Sequence, residues 1–157
     1  MKKRVLLAVV ASVVVLVSCG TSPLPPEELI IQEIFEVDKS KDELFHLSME
    51  WAAKTFKSAK AVIQYEDKEE GIIVGKGFVV VRYGMGVPAD TYFTLTIEVK
   101  DKKARATIED AYFTVTMGTA SSTTAVDNEA TMSRFKPEVL KMFESLEAAL
   151  KGEKEGW

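Results

Sequence analysis

The sequence has little cysteine and little histidine, with one of each, Cys19 and His46, among its 157 residues. A single cysteine excludes a disulfide within the chain and a zinc site built from several thiolates. A catalytic pair of serine or cysteine with histidine would have to use His46. His46 falls on the flank of the apolar stripe of a predicted helix, where we expect it to be exposed or half-buried. No other catalytic motif is recognisable, so we predict no enzymatic activity, no metal site and no cofactor.

The sequence also lacks an apolar run long enough to cross a membrane. Its longest run, residues 5–17, has 13 residues, whereas a spanning helix needs about 20. The run follows the basic segment Lys2-Lys3-Arg4 and precedes small residues, which is the order of a secretory signal. Leu16-Val17-Ser18-Cys19 matches the lipobox of bacterial lipoproteins, in which the cysteine thiol is acylated before cleavage. We predict that residues 1–18 are a signal peptide and that Cys19 is lipidated.

Lipid on Cys19, with acyl chains such as palmitate, would hold the mature protein at a membrane. Two or three acyl chains give stable anchoring, whereas one gives only marginal binding. An ordinary signal peptide that contains a cysteine and an uncleaved N-terminal anchor remain alternatives. Gly20 stands where an aspartate would retain a lipoprotein in the inner membrane of the best-studied sorting system. We therefore expect a lipid-anchored cell-envelope protein at the outer membrane, facing the periplasm.

The mature chain carries few positive charges for its acidic content. Removal of Lys2, Lys3 and Arg4 from the 20 basic residues leaves 17 against 24 acidic ones, a formal charge of −7. Such a surface is repelled by phosphate backbones, so we predict no nucleic-acid partner. The length after cleavage suffices for one domain. We assign residues 19–29 to the lipidated cysteine and a Pro-rich, extended tether, residues 30–152 to a single domain, and residues 153–157 to a C-terminal tail.

Two segments have the pattern of amphipathic helices. Ser40-Lys41-Asp42-Glu43 forms a capping box at the start of the first, which we predict to run to about Ser58 with Trp51 on its apolar stripe. In the second, Pro137 is predicted to lie in the first turn. The apolar residues of that helix follow at helical spacing, and it ends near Gly152: Val139, Phe143, Leu146 and Leu150.

The remaining periodic segments predict strands. The alternation over residues 91–99 is the clearest, and the two halves of the last strand are out of phase by one residue. A β-bulge near Asp110 would restore the phase. Residues 118–133 are predicted to be a polar loop. The order β-α-β-β-β-β-α predicts an α+β domain with an antiparallel sheet and both helices packed on one face. The strands are predicted at residues 30–37, 62–65, 72–83, 91–99 and 104–117.

Three stretches resemble a bacterial domain of unknown function with a TATA-binding-protein-like (TBP-like) fold, found in exported and lipid-anchored proteins. These are residues 37–45, Trp51 and residues 71–77, with the turn at residues 99–102. The resemblance covers roughly residues 30–117 and implies a curved antiparallel sheet with two helices. It implies no activity, and the name of the fold does not imply DNA binding.

Two local motifs invite a functional reading that their details do not support. Gly71-Ile72-Ile73-Val74-Gly75-Lys76-Gly77 has three residues, not four, before Gly-Lys, and Gly77 stands where a phosphate-binding loop needs serine or threonine. We interpret these glycines as positions where a sheet bends or a helix lies close. The acidic turn at residues 66–70 lacks the ligand spacing of a calcium loop, so we interpret it as a solvated turn.

One constellation remains as a candidate binding face. If Phe93, Leu95, Phe113 and Val115 face the helices, the alternate residues face away, in a sheet that no other predicted element covers. A solvated face rich in threonine for its β propensity is the plain alternative. We expect a non-enzymatic module that binds an envelope protein here; a glycan- or small-ligand-binding protein is the second reading, and an enzyme the third. The candidate residues are Tyr92, Thr94, Thr96, Tyr112, Thr114 and Thr116.

Overall fold

The computed structural model describes residues 22–56 and 62–152. The predicted signal peptide, Cys19 and the predicted C-terminal tail lie outside the described residues. Within them the chain forms an α+β fold, as predicted. Its elements are β1 (Ile31–Glu36), α1 (Lys41–Thr55), β2 (Val62–Asp67), β3 (Ile72–Tyr83), β4 (Val87–Lys100), β5 (Lys103–Met117), β6 (Ala120–Ala125) and α2 (Glu129–Lys151), with short 3-10 helices at Pro26–Leu29 and Gly84–Gly86.

The strands form one antiparallel sheet in the order β1-β5-β4-β3-β2. β1 pairs with residues 103–108 of β5, and β6 pairs with residues 112–117 of the same strand. β4 occupies the other side of β5. One edge of the sheet is therefore shared by β1 and β6, which we call the β1/β6 edge, and the opposite edge is β2.

Both helices pack on one face of the sheet and enclose the core. The capping box of α1 is present, with the Ser40 hydroxyl accepting from Glu43 N–H and the Glu43 carboxylate accepting from Ser40 N–H. Alternate residues of β4 point into the core from the sheet, and the apolar stripe of α2 packs against them from the opposite side. In the described part of the chain, neither helix has the length and hydrophobicity of a membrane span. The largest fully buried side chains include Phe93, Ile97, Ile108, Phe135, Phe143 and Leu146.

β6 was predicted to be part of a polar loop, and that prediction is wrong. Gly118 takes a left-handed conformation (φ +61°) and turns the chain back, so that residues 120–125 pair with the end of β5. All six residues of β6 are exposed. A strand that buries no side chain has no hydrophobic alternation, and this removes the pattern by which a strand is recognised.

α2 starts earlier than predicted. Asn128 caps its N-terminus by accepting from Thr131 N–H, and the helix begins at Glu129. Pro137 thus lies inside the helix and not in its first turn. Proline removes one helical hydrogen bond, here the one to the carbonyl of Ser133. Ser133 and Pro137 are both exposed, so water can reach the released carbonyl.

The predicted tether is partly folded onto the domain. Leu24 N–H donates to the carbonyl of Asp127 at 2.7 Å, and Pro23 forms a β-bridge with Asn128. The 3-10 helix at Pro26–Leu29 follows, and Leu24 and Leu29 pack against the core. The Pro-rich spacer was predicted at residues 20–26 as extended and not folded; from Pro23 onward the chain instead contacts the domain, because Leu24 and Leu29 supply apolar surface that packs against the core.

Candidate binding face of the sheet

A β-bulge determines which side chains of β5 reach each face of the sheet. Tyr92 pairs with Tyr112, whereas Thr94 pairs with Glu109, so β5 contains one extra residue between these two pairs. Asp110 adopts a positive φ of 54° at this point. The bulge predicted near Asp110 is therefore present, and it brings the two halves of β5 into phase with β4.

The six predicted residues all lie on the face opposite α1 and α2, which we call the open face. Their neighbours Phe93 and Phe113 are 1% and 9% exposed and point to the helices. Strand alternation then directs Tyr92 and Tyr112 to the opposite side. The threonines follow the same alternation: Thr94 pairs with Lys76, Thr96 pairs with Val74 and Thr107, Thr114 pairs with Asp90 and Thr123, and Thr116 pairs with Ser121.

Three aromatic rings form a row across the middle of the open face. Phe78 of β3 pairs with Tyr92 of β4, and Tyr92 pairs with Tyr112 of β5. The ring centroids of Phe78 and Tyr92 are 5.8 Å apart, and those of Tyr92 and Tyr112 are 5.4 Å apart with the planes 21° from parallel. Cross-strand aromatic pairs of this kind each stabilise a sheet by roughly 0.2–1 kcal/mol. We call this set the aromatic row.

The sequence prediction missed Phe78. β3 reads Phe78-Val79-Val80-Val81, which is apolar on both faces, so its alternation does not show which side each residue takes. The hairpin between β3 and β4 would have placed Phe78 opposite Tyr92 if its register had been read from the turn at residues 84–86.

Polar and apolar groups alternate beside the aromatic row. The Tyr92 hydroxyl donates to Asp90 Oδ2 at 3.4 Å, and the hydroxyls of Thr114 and Thr123 are 3.2 Å apart. Val80, which pairs with Asp90, is 56% exposed. The open face therefore presents apolar area with hydroxyl and carboxylate groups at its margin, a composition typical of recognition surfaces.

The end of the open face farther from the bulge carries an ion pair. Arg105 Nε donates to Glu98 Oε2 at 2.7 Å, and the two residues face each other across β4 and β5. Ile34 of β1 lies beside Arg105 and is 57% exposed. Because both charged groups are partly exposed, the pair contributes little to stability. With Val80, Ile34 is a second exposed aliphatic side chain on the open face.

Tyr65 and Asp67 lie on the β2 edge of the same face. The Tyr65 hydroxyl donates to Asp67 Oδ2 at 3.1 Å, and Glu70 N–H donates to Asp67 Oδ1 at 2.9 Å. The hydrogen bond from Glu70 N–H is the main reason why the pKa of Asp67 lies below its usual value. The hydrogen bond to the Asp67 carboxylate raises the pKa of Tyr65. These groups hold the β2–β3 turn in place, as expected of a solvated turn.

Two of the three glycines in the rejected phosphate-loop motif have structural roles. A Cβ on Gly77 would lie 2.6 Å from Cε1 of Phe56, so the absence of a side chain lets the end of α1 approach the sheet. Gly71 has φ +75° and turns the chain between β2 and β3. His46 is exposed on α1. Among residues 22–56 and 62–152, no group of three His, Cys, Asp or Glu side chains is arranged to hold a metal ion.

An apolar cavity of about 290 Å³ lies on the helix side of the sheet, between the end of α1 and β2–β4. Its lining includes Ala52, Phe56, Ile63 and Leu95. Lys76 is the one charged residue among the described residues that line it. None of the described residues that line the cavity is a histidine or a carboxylate, and the thickness of the sheet separates the cavity from the aromatic row.

Two solved bacterial structures have a similar fold. A crystal structure of a TBP-like protein from Parabacteroides distasonis matches with a TM-score of 0.61 and 14% identity, covering 81% of this chain and 97% of that chain. A crystal structure of a DUF4468 family protein from Bacteroides ovatus gives a TM-score of 0.55 and 15% identity, covering 83% and 85%. Identities this low show a shared fold alone. No curated protein matches the sequence.

Residues 32–114, more than half of the sequence, match the family described as "Domain of unknown function (DUF4468) with TBP-like fold". The matched span runs from β1 into β5 and includes the aromatic row and the bulge. The resemblance inferred from residues 37–45, Trp51 and residues 71–77 is thus confirmed, as is the TBP-like fold. The chain belongs to the DUF4468 family of domains with a TBP-like fold.

Proposed function

We propose that this protein is a lipid-anchored component of the bacterial cell envelope that binds another envelope protein through the open face and catalyses no reaction. The aromatic row is the observation that carries the proposal. Three adjacent strands place Phe78, Tyr92 and Tyr112 side by side on the face away from both helices. Tyrosine and phenylalanine provide large contact areas with few rotatable bonds, which suits them to protein interfaces.

The apolar surface around the aromatic row supports a macromolecular partner. Tyr112, Val80 and Ile34 are each more than a third exposed and belong to the same face. Isolated apolar residues are common on protein surfaces, but several on one face indicate an interaction site. These three side chains are not part of the hydrophobic core, which lies on the other face of the sheet. Their apolar character is therefore not explained by packing in the core.

The predicted location supports an envelope partner. The lipobox at residues 16–19 and the acidic charge of the mature chain both favour a tethered protein that does not bind nucleic acid. A tether raises the effective concentration of the domain toward any neighbour in the same compartment. Even weak contact at the open face would then suffice for binding.

Photo-crosslinking of the native protein in intact cells tests the proposal. A photoreactive group at Thr94, beside the aromatic row, should attach a specific envelope protein that mass spectrometry identifies. Tyr92→Ala and Tyr112→Ala should each lower the crosslinked yield at least about tenfold, which corresponds to the loss of a central interface residue at about 1.4 kcal/mol or more. His46→Ala, an exposed substitution on the helix side, is the matched control and should leave the yield unchanged.

The outcome separates binding from a merely solvated face. A crosslinked partner whose yield is the same in Tyr92→Ala and His46→Ala would contradict the use of the aromatic row. Absence of any protein adduct at Thr94 would contradict a protein partner altogether.

A glycan ligand is the second candidate, favoured by the hydroxyl groups that border the rings. Sugar rings place an apolar face against aromatic side chains while their hydroxyls bond polar neighbours such as Asp90 and Thr114. Saturable thermal stabilisation of the domain by envelope oligosaccharides, lost in Tyr112→Ala, would favour this reading over a protein partner.

A further inference from the structure

The folded domain starts very close to the predicted lipidation site. Leu24 N–H donates to the carbonyl of Asp127 at 2.7 Å, and Pro23 is bridged to Asn128. Leu24 also packs against the core. These contacts fix the chain from Pro23 onward, so only Gly20, Thr21 and Ser22 separate the domain from Cys19.

Three residues make a very short tether. From Cys19 to Pro23 the chain spans at most about 14 Å when fully extended, at about 3.6 Å per residue. This length is less than the distance between the two edges of the sheet, which is about 19 Å for four strand spacings of about 4.8 Å. A lipid on Cys19 would therefore hold the surface around Pro23 against the membrane, whereas an eleven-residue tether over residues 19–29 would let the domain turn freely.

The point of attachment lies at one edge of the sheet. Asp127 and Asn128 follow β6 after a single residue, Val126, whose N–H donates to the carbonyl of Ala111 on β5. The attachment point is thus beside the β1/β6 edge. The β2 edge is four strand spacings away, or about 19 Å at about 4.8 Å each.

The surface around the attachment point has a composition that suits lipid headgroups. We call it the root surface; Ile30 is 45% exposed within it, and Glu27, Glu28 and Glu129 lie nearby beside Lys136. Three carboxylates against one ammonium disfavour a phosphate-rich anionic bilayer and favour headgroups that carry an amine. Leu24 and Ser133 also line the root surface.

We infer that the root surface lies on the headgroups of an amine-bearing zwitterionic bilayer, with the β1/β6 edge toward the membrane and the β2 edge away from it. This inference rests on the lipid anchor of the proposed function. In this orientation the aromatic row runs away from the membrane surface, with Tyr112 nearest to the membrane and Phe78 farthest from it. A partner of the open face would then have to stand beside the domain on the same membrane.

Fluorescence quenching in vesicles tests the orientation. The purified lipidated protein is inserted into phosphatidylethanolamine–phosphatidylcholine vesicles that contain lipid spin-labelled at the headgroup. Because the thiol of Cys19 is blocked by lipid, a fluorophore can be attached selectively at Ser133→Cys on the root surface or at Glu69→Cys in the β2–β3 turn. Quenching at residue 133 should be several-fold stronger than at residue 69.

A lengthened tether provides the matched control. Insertion of about 16 Gly/Ser residues between Ser22 and Pro23 adds a mean reach of about 22 Å and should reduce the quenching at residue 133. Equal quenching at residues 133 and 69, in a protein whose mass shows the acyl chains on Cys19, would overturn the inference alone. A mature chain without acyl mass on Cys19 would overturn the anchor and the inference together, and neither result depends on whether the open face binds a protein.

Discussion

The indole N–H of Trp51 donates a hydrogen bond to the hydroxyl of Ser145 at 3.1 Å and so joins α1 to α2. The same indole packs edge-on against Phe56, with ring centroids 5.6 Å apart. Phe56 in turn contacts Phe93 of the sheet at 6.5 Å between centroids. This chain of contacts connects the two helices to the middle of β4, beneath the aromatic row.

Trp51→Ala is expected to lower the free energy of unfolding by about 3–5 kcal/mol, because it leaves a large cavity between α1, α2 and the sheet. Ser145→Ala removes only the hydrogen bond and should cost about 1 kcal/mol. Urea unfolding of the domain followed by circular dichroism measures both. A loss below about 1 kcal/mol for Trp51→Ala would contradict the packing described for this side chain.

Ser48→Ala is expected to stabilise the protein. Ser48 is 0% exposed, and its hydroxyl has no hydrogen-bond partner in the described part of the chain. Removal of an unsatisfied buried hydroxyl should raise the free energy of unfolding by about 1 kcal/mol or more. Ser133→Ala, at an exposed helical position, is the control for helix propensity and should contribute about 0.5 kcal/mol. Destabilisation by Ser48→Ala would indicate that the hydroxyl is satisfied in solution.

Gly77→Ala is expected to weaken the contact between α1 and the sheet. Its Cβ would approach Cε1 of Phe56 at 2.6 Å and Phe93 at 3.0 Å, so the ring of Phe56 must move. We expect a loss of about 1–3 kcal/mol. Gly84→Ala is the matched control, since no atom of the described chain lies within 4 Å of its new Cβ.

A double-mutant cycle can assign the loss to this contact. In the Phe56→Leu background, Gly77→Ala should cost less, with a coupling of about 0.5–3 kcal/mol. Additive effects would place the origin of the loss elsewhere.

Tyr83 should make stability depend on pH in the alkaline range. The phenol is buried, stacks on Phe113 with centroids 3.9 Å apart, and its oxygen is 3.0 Å from the Thr91 hydroxyl. Burial raises the pKa of Tyr83 above its ordinary value of 10.0. The native state therefore favours the protonated phenol. Its contribution is complete below the unfolded value and is lost as the pH rises through the higher folded value.

Chemical denaturation between pH 8 and 12 can detect this effect. Tyr83→Phe should lose part of the decline in stability with pH, although it costs about 1 kcal/mol at neutral pH through the hydrogen bond to Thr91. Identical pH profiles for wild type and Tyr83→Phe would show that another group controls alkaline unfolding.

Local patterns in the sequence were sufficient for much of the fold. The capping box at Ser40 and Glu43 predicted the start of α1, and the alternation over residues 91–99 predicted which side chains of β4 are buried. The phase error along β5 predicted the bulge at Asp110. Each of these patterns joins residues that are close in sequence, within one helical turn or along a single strand. Their physical cause is therefore local and can be read from the sequence.

The sequence by itself predicted that Tyr92 and Tyr112 point away from the core, and its residues 16–19 match the pattern of a lipobox. Only the tertiary structure decided that Phe78 joins the two tyrosines, that residues 120–125 form an edge strand, and that the segment from Pro23 docks beside Asp127. Pairing across strands joins residues far apart in sequence. Residues 78–81 of β3 are apolar on both faces, and all six residues of β6 are exposed. Neither segment has an alternating pattern that shows which face each side chain takes or which strand it pairs with. The pairing partners are therefore known only once the sheet has formed.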